Sequence, residues 1–517
     1  MNLARRMPLL ALTLSVAACH SRRTDKYIPQ ETAQVLGVDA ASIQRSIVTL
    51  VDSGASPAWV TPERWKRVRA LYASYAYAPL WIEEGGVRER ASALLSALQN
   101  APTHALRTDA YPLDSIAKWV NDKRIDSTAG PSVIANADIV LTAAYVAYAS
   151  DMLVGQIDPK SVSQSWHIPA RPAAVDSALV ATLTDSSMVA GLDAMAPRDS
   201  EYAVLKQEYQ RYRDMAGHGG WKQIDAAVSP AELTARLAAE GYEASSPDSV
   251  KAALALWQSR HDLDADGKLG RATREALNVS ADDRMRQIGA NMERHRWLPR
   301  ALGDRYVYVN VPSFRLDAYD SGQRTLSMKV VVGAEYDGRA TPVFSDSMRF
   351  VVFRPYWTPT ATMLKTEIRP KIAADRGYLA RNDMEYGMTD GVRVLRQRPG
   401  PHNSLGLVKF LFPNDYNIYL HDTNEKSLFG KSARAASHGC IRLEQPDKLA
   451  QYVLGWTPDS VSNAMNSGKN DRRITLAKKV PVYIVYFTAY ARDGALHFAN
   501  DVYRRDDALN ARAPSSP

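Results

Sequence analysis

The spacing of apolar residues predicts helices over most of the first half of the chain. Between about residues 40 and 220, apolar side chains recur at the intervals of three and four residues that bury one face of an α-helix. Proline-containing breaks separate these segments. The clearest of them are residues 91–98, 137–153 and 202–215. We therefore expect a helical domain over residues 41–225.

A shorter helical pattern follows over residues 226–280. Ser229-Pro230 is a favourable helix start, because proline suits the first turn. Further along, the pattern predicts a helix at 248–261, a glycine-containing turn at 263–270 and a short helix at 273–277. The segment is therefore predicted to be a three-helix unit.

From about residue 304 the pattern changes to the two-residue period of β-strands. Runs rich in Val, Tyr and Ile predict strands at 306–311, 326–332, 349–353 and 479–487. A strand-like run at 417–420 ends directly before His421. The sequence thus predicts a β-rich domain over residues 290–505, a polar tail at 506–517 and, for the whole chain, a multidomain α+β fold.

Composition and charge fit this organisation. The chain has 517 residues, which is too long for one hydrophobic core, and is 45% apolar and 23% charged. Its formal charge of +8 becomes +6 without the first 18 residues, which contain Arg5, Arg6 and no acid. A mild positive excess suits anionic surroundings such as cell wall or lipid head groups. The sequence has no nucleic-acid-binding motif, so nucleic acid is not an expected partner.

The N terminus has the pattern of an export signal. Two arginines precede an apolar run at 9–18 that is too short to cross a bilayer as a helix. The run ends in the sequence VAAC, which resembles a bacterial lipoprotein signal whose cysteine is lipidated. An ordinary secretory signal with a chance cysteine is the alternative. We expect a signal peptide at 1–18, lipid on Cys19 and a tether at 19–40.

Cys440 is predicted to carry a free thiol, which is unusual in an oxidising compartment unless the thiol has a function. The chain has two cysteines, and lipidation of Cys19 would leave Cys440 without a disulfide partner in an oxidising compartment. A thiol attacks as the thiolate, so a catalytic cysteine needs a base or a positive neighbour. Both His421 and His438 are candidate bases. On an extended backbone His438 would share a face with Cys440, whereas His421 must be brought close by the fold.

The neighbours of Cys440 suit acyl transfer. Gly439 permits turns that other residues avoid, and the amides beside it could donate to the oxyanion formed when a thiolate attacks an amide carbonyl. Arg442 offers a positive fork for a substrate or structural carboxylate. From the residues alone, two alternatives stay open. Cys440 could be a buried structural cysteine, or His421, His438 and Cys440 could bind zinc, with Asp422 as the base.

Residues 421–443, with the motif SHGCIR at 437–442, resemble the catalytic signature of L,D-transpeptidases of the YkuD type. The wider chain resembles the large, YcbB-like members of that family. Matching segments of the catalytic region are RWLP at 296–299, VNVP at 309–312, TPVF at 341–344, PYW at 355–357 and FPN at 412–414. Residues 226–280 resemble a peptidoglycan-binding domain, and PLW at 79–81, GQIDP at 155–159 and GGW at 219–221 resemble the family's scaffold domain. The resemblance also implies a capping subdomain at about 365–412.

The resemblance implies a complete reaction. Cys440 attacks the carbonyl of diaminopimelate, the third residue of a tetrapeptide stem, and the terminal D-alanine leaves. The side-chain amine of a second stem then resolves the thioester to give a 3→3 cross-link. By the same resemblance, His421 is the base, Ser437, His438 and Gly439 build the oxyanion hole and orient His421, and Arg442 supports the loop or the substrate carboxylate. No metal or organic cofactor is needed, and carbapenems should acylate Cys440.

The implied partners are peptidoglycan stem peptides and glycan, the membrane through the lipid anchor, and peptidoglycan synthases or carboxypeptidases. The expected location is the periplasm, on the outer rather than the inner membrane, because His20 and Ser21 follow Cys19 where an Asp would favour inner-membrane retention. The acceptor stays open. Water would make the same site an L,D-carboxypeptidase or endopeptidase, a protein lysine would make it a lipoprotein-anchoring enzyme, and a chain without activity would be a wall-binding protein.

Overall fold

The computed structural model describes most of the chain after the N-terminal segment. The described residues are 34–511, apart from 54–55, 123–124, 126–127, 129, 170–172, 185–187, 337 and 390. The predicted signal peptide, the predicted lipidation site Cys19 and most of the tether lie outside the described residues. So does the end of the predicted tail, from residue 512.

The first part of the described chain is mainly helical. Its helices are α1 (Ala40–Asp52), α2 (Pro62–Ser74), α3 (Glu89–Asn100), α4 (Leu113–Asp122), α5 (Pro131–Val154), α6 (Pro159–Val162), α7 (Ala173–Thr184), α8 (Met188–Asp193) and α9 (Ser200–Gly217). Two short hairpins accompany them, β1 (Gln34–Val35) with β2 (Val38–Asp39) and β3 (Ile82–Glu83) with β4 (Gly86–Val87). The helices predicted at 91–98, 137–153 and 202–215 are confirmed within α3, α5 and α9.

Helix α5 is the central element of this part and is buried on nearly all sides. The buried carboxylate of Asp138 accepts hydrogen bonds from the backbone amides of Leu80 (2.9 Å) and Trp81 (2.8 Å) and from the hydroxyl of Tyr72 (2.6 Å). These bonds fix α2 and the following turn against α5. Among the described residues, α5 is long and apolar enough to cross a membrane, but 78% of its most apolar stretch is buried inside the protein. Its composition therefore agrees with its place in a packed core.

Three helices follow, α10 (Pro230–Ala238), α11 (Pro247–Arg260) and α12 (Arg271–Leu277). The side chains of Ser229 and Ser246 cap the first two, each in a reciprocal capping box. Trp257 is fully buried in the small core of this unit. The turn before α12 is fixed by the side chain of Gln258, which accepts from the amide of Gly267 (2.8 Å) and donates to the carbonyl of Lys268 (2.9 Å).

Helix α13 (Ala281–Trp297) leads into the β-rich part. Its strands are β5 (Arg305–Asn310), β6 (Arg315–Asp320), β7 (Gln323–Gly333), β8 (Phe344–Phe353), β9 (Met384–Thr389), β10 (Val392–Gln397), β11 (Val408–Leu411), β12 (Leu420–His421), β13 (Ala435–Ser437), β14 (Ile441–Leu443), β15 (Arg472–Val485), β16 (Ala489–Arg492) and β17 (Ala495–Phe498). Nine of these form one sheet in the order β13-β7-β14-β12-β11-β8-β15-β5-β6, and β6 also pairs with β7. The mixed α+β fold predicted from the sequence is confirmed.

The segment between β8 and β11 stands apart from this sheet. It contains α14 (Ala361–Met363), a wider helical turn at Leu364–Ile368, α15 (Arg369–Ala374), α16 (Tyr378–Arg381) and the antiparallel hairpin β9–β10. Ile368, Met384 and Leu395 form a small core of its own. We call residues 361–397 the cap. After β14, helices α17 (Pro446–Leu454) and α18 (Pro458–Asn466) precede β15, and α19 (Asp507–Asn510) follows β17.

The structure differs from the sequence pattern just before His421. A strand was expected at 417–420, but strand pairing begins only at Leu420. Asn417 has a φ of 55°, in the left-handed region that turns the chain. The side chain of Asn414 closes this turn by accepting from the amide of Tyr416 (3.0 Å) and donating to the carbonyl of Ile418 (2.8 Å). Local side-chain bonding of this kind competes with strand pairing.

The segment after α6 packs against the β-rich part. Trp166 and Ile168 belong to the hydrophobic core of the large sheet. Trp166 forms an isolated parallel bridge with Val343 and packs edge-to-face against Trp297, with ring centroids 4.9 Å apart. The helical and β-rich parts are thus joined by shared core as well as by the chain.

We predict that Trp166→Ala lowers the thermal unfolding midpoint, because it removes a buried indole from that shared core and leaves a cavity. Losses of about 3–5 kcal/mol are typical of such truncations. The measurement is thermal unfolding followed by circular dichroism. Tyr336→Ala is the control, because Tyr336 is an aromatic residue that is 62% exposed, and its midpoint should not move. Equal midpoints for Trp166→Ala and wild type would contradict the shared core.

Candidate active site

The site is built on the parallel pairing of β12 with β14. Leu420 lies opposite Ile441 and His421 lies opposite Arg442. Leu420 and Ile441 are fully buried in the sheet core. Because side chains alternate along a strand, His421 and Arg442 point to the opposite face. Cys440 directly precedes Ile441, so the same alternation brings the thiol to the face that carries His421.

His421 is held in one tautomer. Its ring is buried, and Nδ1 is hydrogen-bonded to the backbone carbonyl of Asp422. A carbonyl oxygen can only accept, so Nδ1 carries the proton and Nε2 keeps a free lone pair. Burial, together with the positive charge of Arg442, lowers the pKa of His421 to about 3. The imidazole is therefore neutral at pH 7 and has the form that a general base requires.

Cys440 is half-buried, and its Sγ lies 3.6 Å from the backbone carbonyl of Asn417. Burial raises the pKa of the Cys440 thiol to about 11, although hydrogen bonds from Tyr419 and the charge of Arg442 act in the opposite direction. The thiol is thus protonated at pH 7. The two groups are thus a neutral thiol and a neutral imidazole, and the sulfur could act as a nucleophile only if its proton were transferred to a base.

The turn before Cys440, residues 437–439, is tightly braced. Gly439 has a φ of 110°, and a Cβ there would lie 3.1 Å from the side chain of Ile418. The hydroxyl of Ser437 donates to the carbonyl of Cys440 (2.6 Å) and accepts from the amide of Gly439 (3.1 Å). The hydroxyl of Thr341 donates to the carbonyl of Gly439 (2.8 Å). We call residues 437–440 the catalytic turn.

This bracing differs from the expected oxyanion hole. The amide of Gly439 is already bonded to Ser437, because the left-handed turn folds that amide onto the hydroxyl two residues earlier. The amide of Cys440 has no acceptor among the described residues, so its capacity to donate a hydrogen bond is unused. The carbonyl that contacts Nδ1 of His421 belongs to Asp422, the next residue along the chain, and not to residues 437–439.

His438 points away from the thiol. The positive φ of Gly439 breaks the extended backbone on which residues 438 and 440 would share a face. Instead, Nε2 of His438 lies 2.7 Å from the Glu367 carboxylate, which belongs to the cap. Arg339 reaches the same carboxylate at 3.1 Å. Of the two candidate bases, His421 therefore has the better position.

Arg442 and Asp422 brace the loop that follows His421. Arg442 forms an ion pair with Glu425, so the structure gives it the loop-supporting contact that was one of its two expected roles. The Asp422 carboxylate accepts from the amides of Leu407 (2.8 Å) and Thr423 (2.7 Å) and pairs with Lys426 (2.6 Å). These bonds occupy Asp422, the carboxylate that a zinc site would need as its base.

The proposed zinc ligands do not converge. Nε2 of His438 is engaged by Glu367, and Nδ1 of His421 is engaged by a carbonyl. In the part of the chain that the structure describes, no group of three or more His, Cys, Asp or Glu side chains is arranged to hold a metal ion. The geometry therefore favours the thiol–imidazole alternative.

Several residues of the site were not singled out from the sequence. Thr341 lies within the matched segment TPVF, and Asp422 is next to His421, so a signal existed for both. Glu367 and Arg339 had none, because they lie 73 and 101 positions from Cys440 in the numbering of the chain. Their approach to the site depends on how the cap and the loop after β7 fold back.

Comparisons with known proteins match the part of the chain that contains this site. The family model of the L,D-transpeptidase catalytic domain of the YkuD type matches residues 304–484, which contain the site. The family model described as the scaffold domain matches residues 66–208. A curated candidate L,D-transpeptidase of Haemophilus influenzae is 30% identical over 244 residues, which cover 43% of this chain and 49% of the relative. The chain thus matches about half the length of that relative.

Solved structures with some likeness are also L,D-transpeptidases. One from Stackebrandtia nassauensis is 16% identical and has a TM-score of 0.24, with 53% of this chain and 99% of the other covered. L,D-transpeptidase 1 of Mycobacterium tuberculosis is 13% identical and has a TM-score of 0.17, with 35% and 61% covered. These TM-scores lie far below 0.5, so the likeness to L,D-transpeptidases is carried by the sequence matches.

We predict that alkylation of Cys440 by iodoacetamide rises with pH up to about pH 11, because the raised pKa leaves little thiolate near neutrality. The rate should increase about tenfold per pH unit from pH 7 to 10. It should show no step between pH 5 and 8, because His421 stays neutral there. The measurement uses a Cys19→Ser protein, in which Cys440 is the single thiol, with mass-spectrometric readout. A free thiol such as glutathione is the control, and a plateau of Cys440 below pH 8 would instead indicate a preformed thiolate–imidazolium pair.

Proposed function

Residues 304–484 belong to the L,D-transpeptidase catalytic domain family and residues 66–208 to the scaffold domain family, and on this premise we propose that the protein is a cysteine L,D-transpeptidase of peptidoglycan. The proposal is supported by the pairing of β12 with β14, which sets His421 opposite Arg442, two residues after Cys440, and by the bond at Nδ1 that leaves the lone pair of His421 on Nε2. The donor is a tetrapeptide stem, and the acceptor is the side-chain amine of diaminopimelate in a second stem.

In the first half-reaction, Sγ of Cys440 forms a bond to the carbonyl carbon of the third stem residue while its proton passes to Nε2 of His421. The oxyanion that forms accepts from the free amide of Cys440, in the turn opened by Gly439. When the intermediate collapses, the bond to D-alanine breaks and the imidazolium returns its proton to the leaving amine. A thioester on Cys440 results.

In the second half-reaction, the acceptor amine attacks the thioester and gives a proton to Nε2 of His421. Sγ of Cys440 leaves and takes that proton, so the neutral pair is restored and a 3→3 cross-link is formed. The lowered pKa of His421 keeps the imidazole neutral at pH 7, so that Nε2 can accept a proton in both half-reactions. Arg442 keeps the loop around His421 in place through Glu425. The chemistry uses side chains and backbone amides alone.

The remaining parts of the chain bring this site to its substrate. The three-helix unit α10–α12 binds peptidoglycan, and the lipid on Cys19 holds the protein in the periplasm, on the outer membrane. Stem peptides, glycan strands and the enzymes that trim stems to tetrapeptides are the partners. Because the nucleophile is a thiol that attacks amides, carbapenems acylate Cys440 and so label the site.

We predict that Cys440→Ala abolishes 3→3 dimer formation from purified tetrapeptide muropeptides, because no acyl-enzyme can form. His421→Gln should lower turnover by about 10²–10⁴-fold, the usual contribution of a general base. His218→Gln is the matched control, because His218 is an exposed histidine at the end of α9. Mass spectrometry of the products and of the carbapenem adduct on Cys440 gives both readouts.

Three outcomes would decide against parts of the proposal. Release of D-alanine from wild type without dimers indicates an L,D-carboxypeptidase. Loss of activity with a chelator, but not with a thiol reagent, indicates a metal enzyme. Wall binding without any acyl adduct on Cys440 indicates a non-catalytic wall-binding protein.

A further inference from the structure

Three separate segments meet beside the catalytic turn. Glu367 comes from the cap, His438 from the catalytic turn and Arg339 from the loop that joins β7 to β8. The Glu367 carboxylate lies 2.7 Å from Nε2 of His438 and 3.1 Å from the guanidinium of Arg339. The side chains of Glu367 and His438 are each 31% exposed, so the junction is sheltered but still reachable from solvent.

The shape of the cap helix places Glu367 at this junction. Residues 361–374 form a helix whose middle turn is widened, because the amide of Arg369 donates to the carbonyl of Leu364, five residues back. The next residue, Pro370, has no amide to donate and its ring cannot follow a regular turn without a clash. The wider turn at 364–368 accommodates the proline and re-aims the residues just before it, including Glu367. Wider turns of this kind are frequent at functional sites.

The charges at the junction favour the contacts of Glu367 with His438 and Arg339. The hydrogen bond from His438 lowers the pKa of Glu367, and Arg339 and Lys371 act in the same direction. Glu367 is therefore ionised at neutral pH and accepts from both neighbours. Charge-assisted hydrogen bonds are the stronger class of such contacts.

Both partners of Glu367 lie at the catalytic turn. His438 is two residues before Cys440. The backbone carbonyl of Arg339 lies under Gly439, within 3.5 Å of the place that a Cβ would occupy, and Thr341 in the same loop donates to the Gly439 carbonyl. A displacement of the cap would therefore shift the catalytic turn through the contacts of Glu367 with His438 and with Arg339.

We propose that Glu367 is a positioning residue that fastens the cap to the catalytic turn. With Glu367 bound, the cap is closed beside Cys440 and the turn holds the geometry needed for attack. When the contact is broken, the cap moves away and the thiol becomes more accessible but less well aligned. The inference rests on the proposed function for its effect on turnover, whereas its effects on the cap and on the thiol are independent of that function.

The test compares Glu367→Ala and Glu367→Gln with wild type, all in the full chain with Cys19→Ser. Glu385→Gln is the matched control, because Glu385 is also a cap carboxylate but pairs with Arg396 inside the β9–β10 hairpin (2.9 Å). In Glu367→Ala we expect amide hydrogen exchange over residues 361–381 to speed up about tenfold and iodoacetamide to alkylate Cys440 faster. Turnover should fall about tenfold in kcat with little change in KM, while the thermal unfolding midpoint stays within about 2 °C of wild type.

Glu367→Gln should lie between Glu367→Ala and wild type in all readouts, because its amide oxygen still accepts from His438 but carries no charge. Unchanged exchange in Glu367→Ala together with a higher KM would overturn the proposal and make Glu367 a substrate contact. A lower unfolding midpoint, with exchange faster throughout the β-rich part, would also overturn it, because Glu367 would then be a general stabilising residue. If wild type makes no cross-links at all, the proposed function fails, and the exchange and alkylation readouts still decide on the fastening.

Discussion

The parallel pairing of β12 with β14 is the constraint on which the site depends. It comprises only two residue pairs, Leu420 with Ile441 and His421 with Arg442, and each pair joins residues that are 21 positions apart in the chain. Two strands this short would not hold each other in register alone. They do so because β11 and β7 flank them in the sheet and because Leu420 and Ile441 are buried in its core. A slip by one residue would send the imidazole into that core.

The same burial that fixes the strands determines the charge state of the pair. The buried imidazole and the half-buried thiol both disfavour their charged forms, and the charge of Arg442 further disfavours an imidazolium. Without substrate, the site therefore holds no thiolate–imidazolium ion pair. In the proposed reaction, proton transfer is coupled to attack, and the amide of Cys440 stabilises the negative charge that develops on the substrate oxygen.

The sequence was sufficient for features that depend on local pattern. Helices α3, α5, α9 and α11 and strands β5, β7, β8 and β15 follow from apolar spacing, and the motif around Cys440 identified the candidate nucleophile and base. The missing details depend on contacts between distant segments or on single dihedral angles. The positive φ of Asn417 ends the extended backbone that was predicted as a strand. The positive φ of Gly439 separates the directions of the His438 and Cys440 side chains, and the amide of Gly439 is bonded to the Ser437 hydroxyl. Glu367 could not be found because a proline-widened helical turn in another segment brings it to the site.

The helical part of the protein contacts the loops that surround the site. Beside Trp166, the backbone of Ser165 and His167 pairs with both sides of Val343 (2.9 and 2.7 Å), two residues after the Thr341 hydroxyl that holds Gly439. The His167 ring stacks on Tyr416, with centroids 4.4 Å apart, directly before the Asn417 carbonyl that contacts the thiol. One short segment thus supports both loops that border Cys440. The helical part thus supports the loops next to Cys440, and the cap contacts the catalytic turn through Glu367, so the position of the thiol depends on two elements outside the sheet.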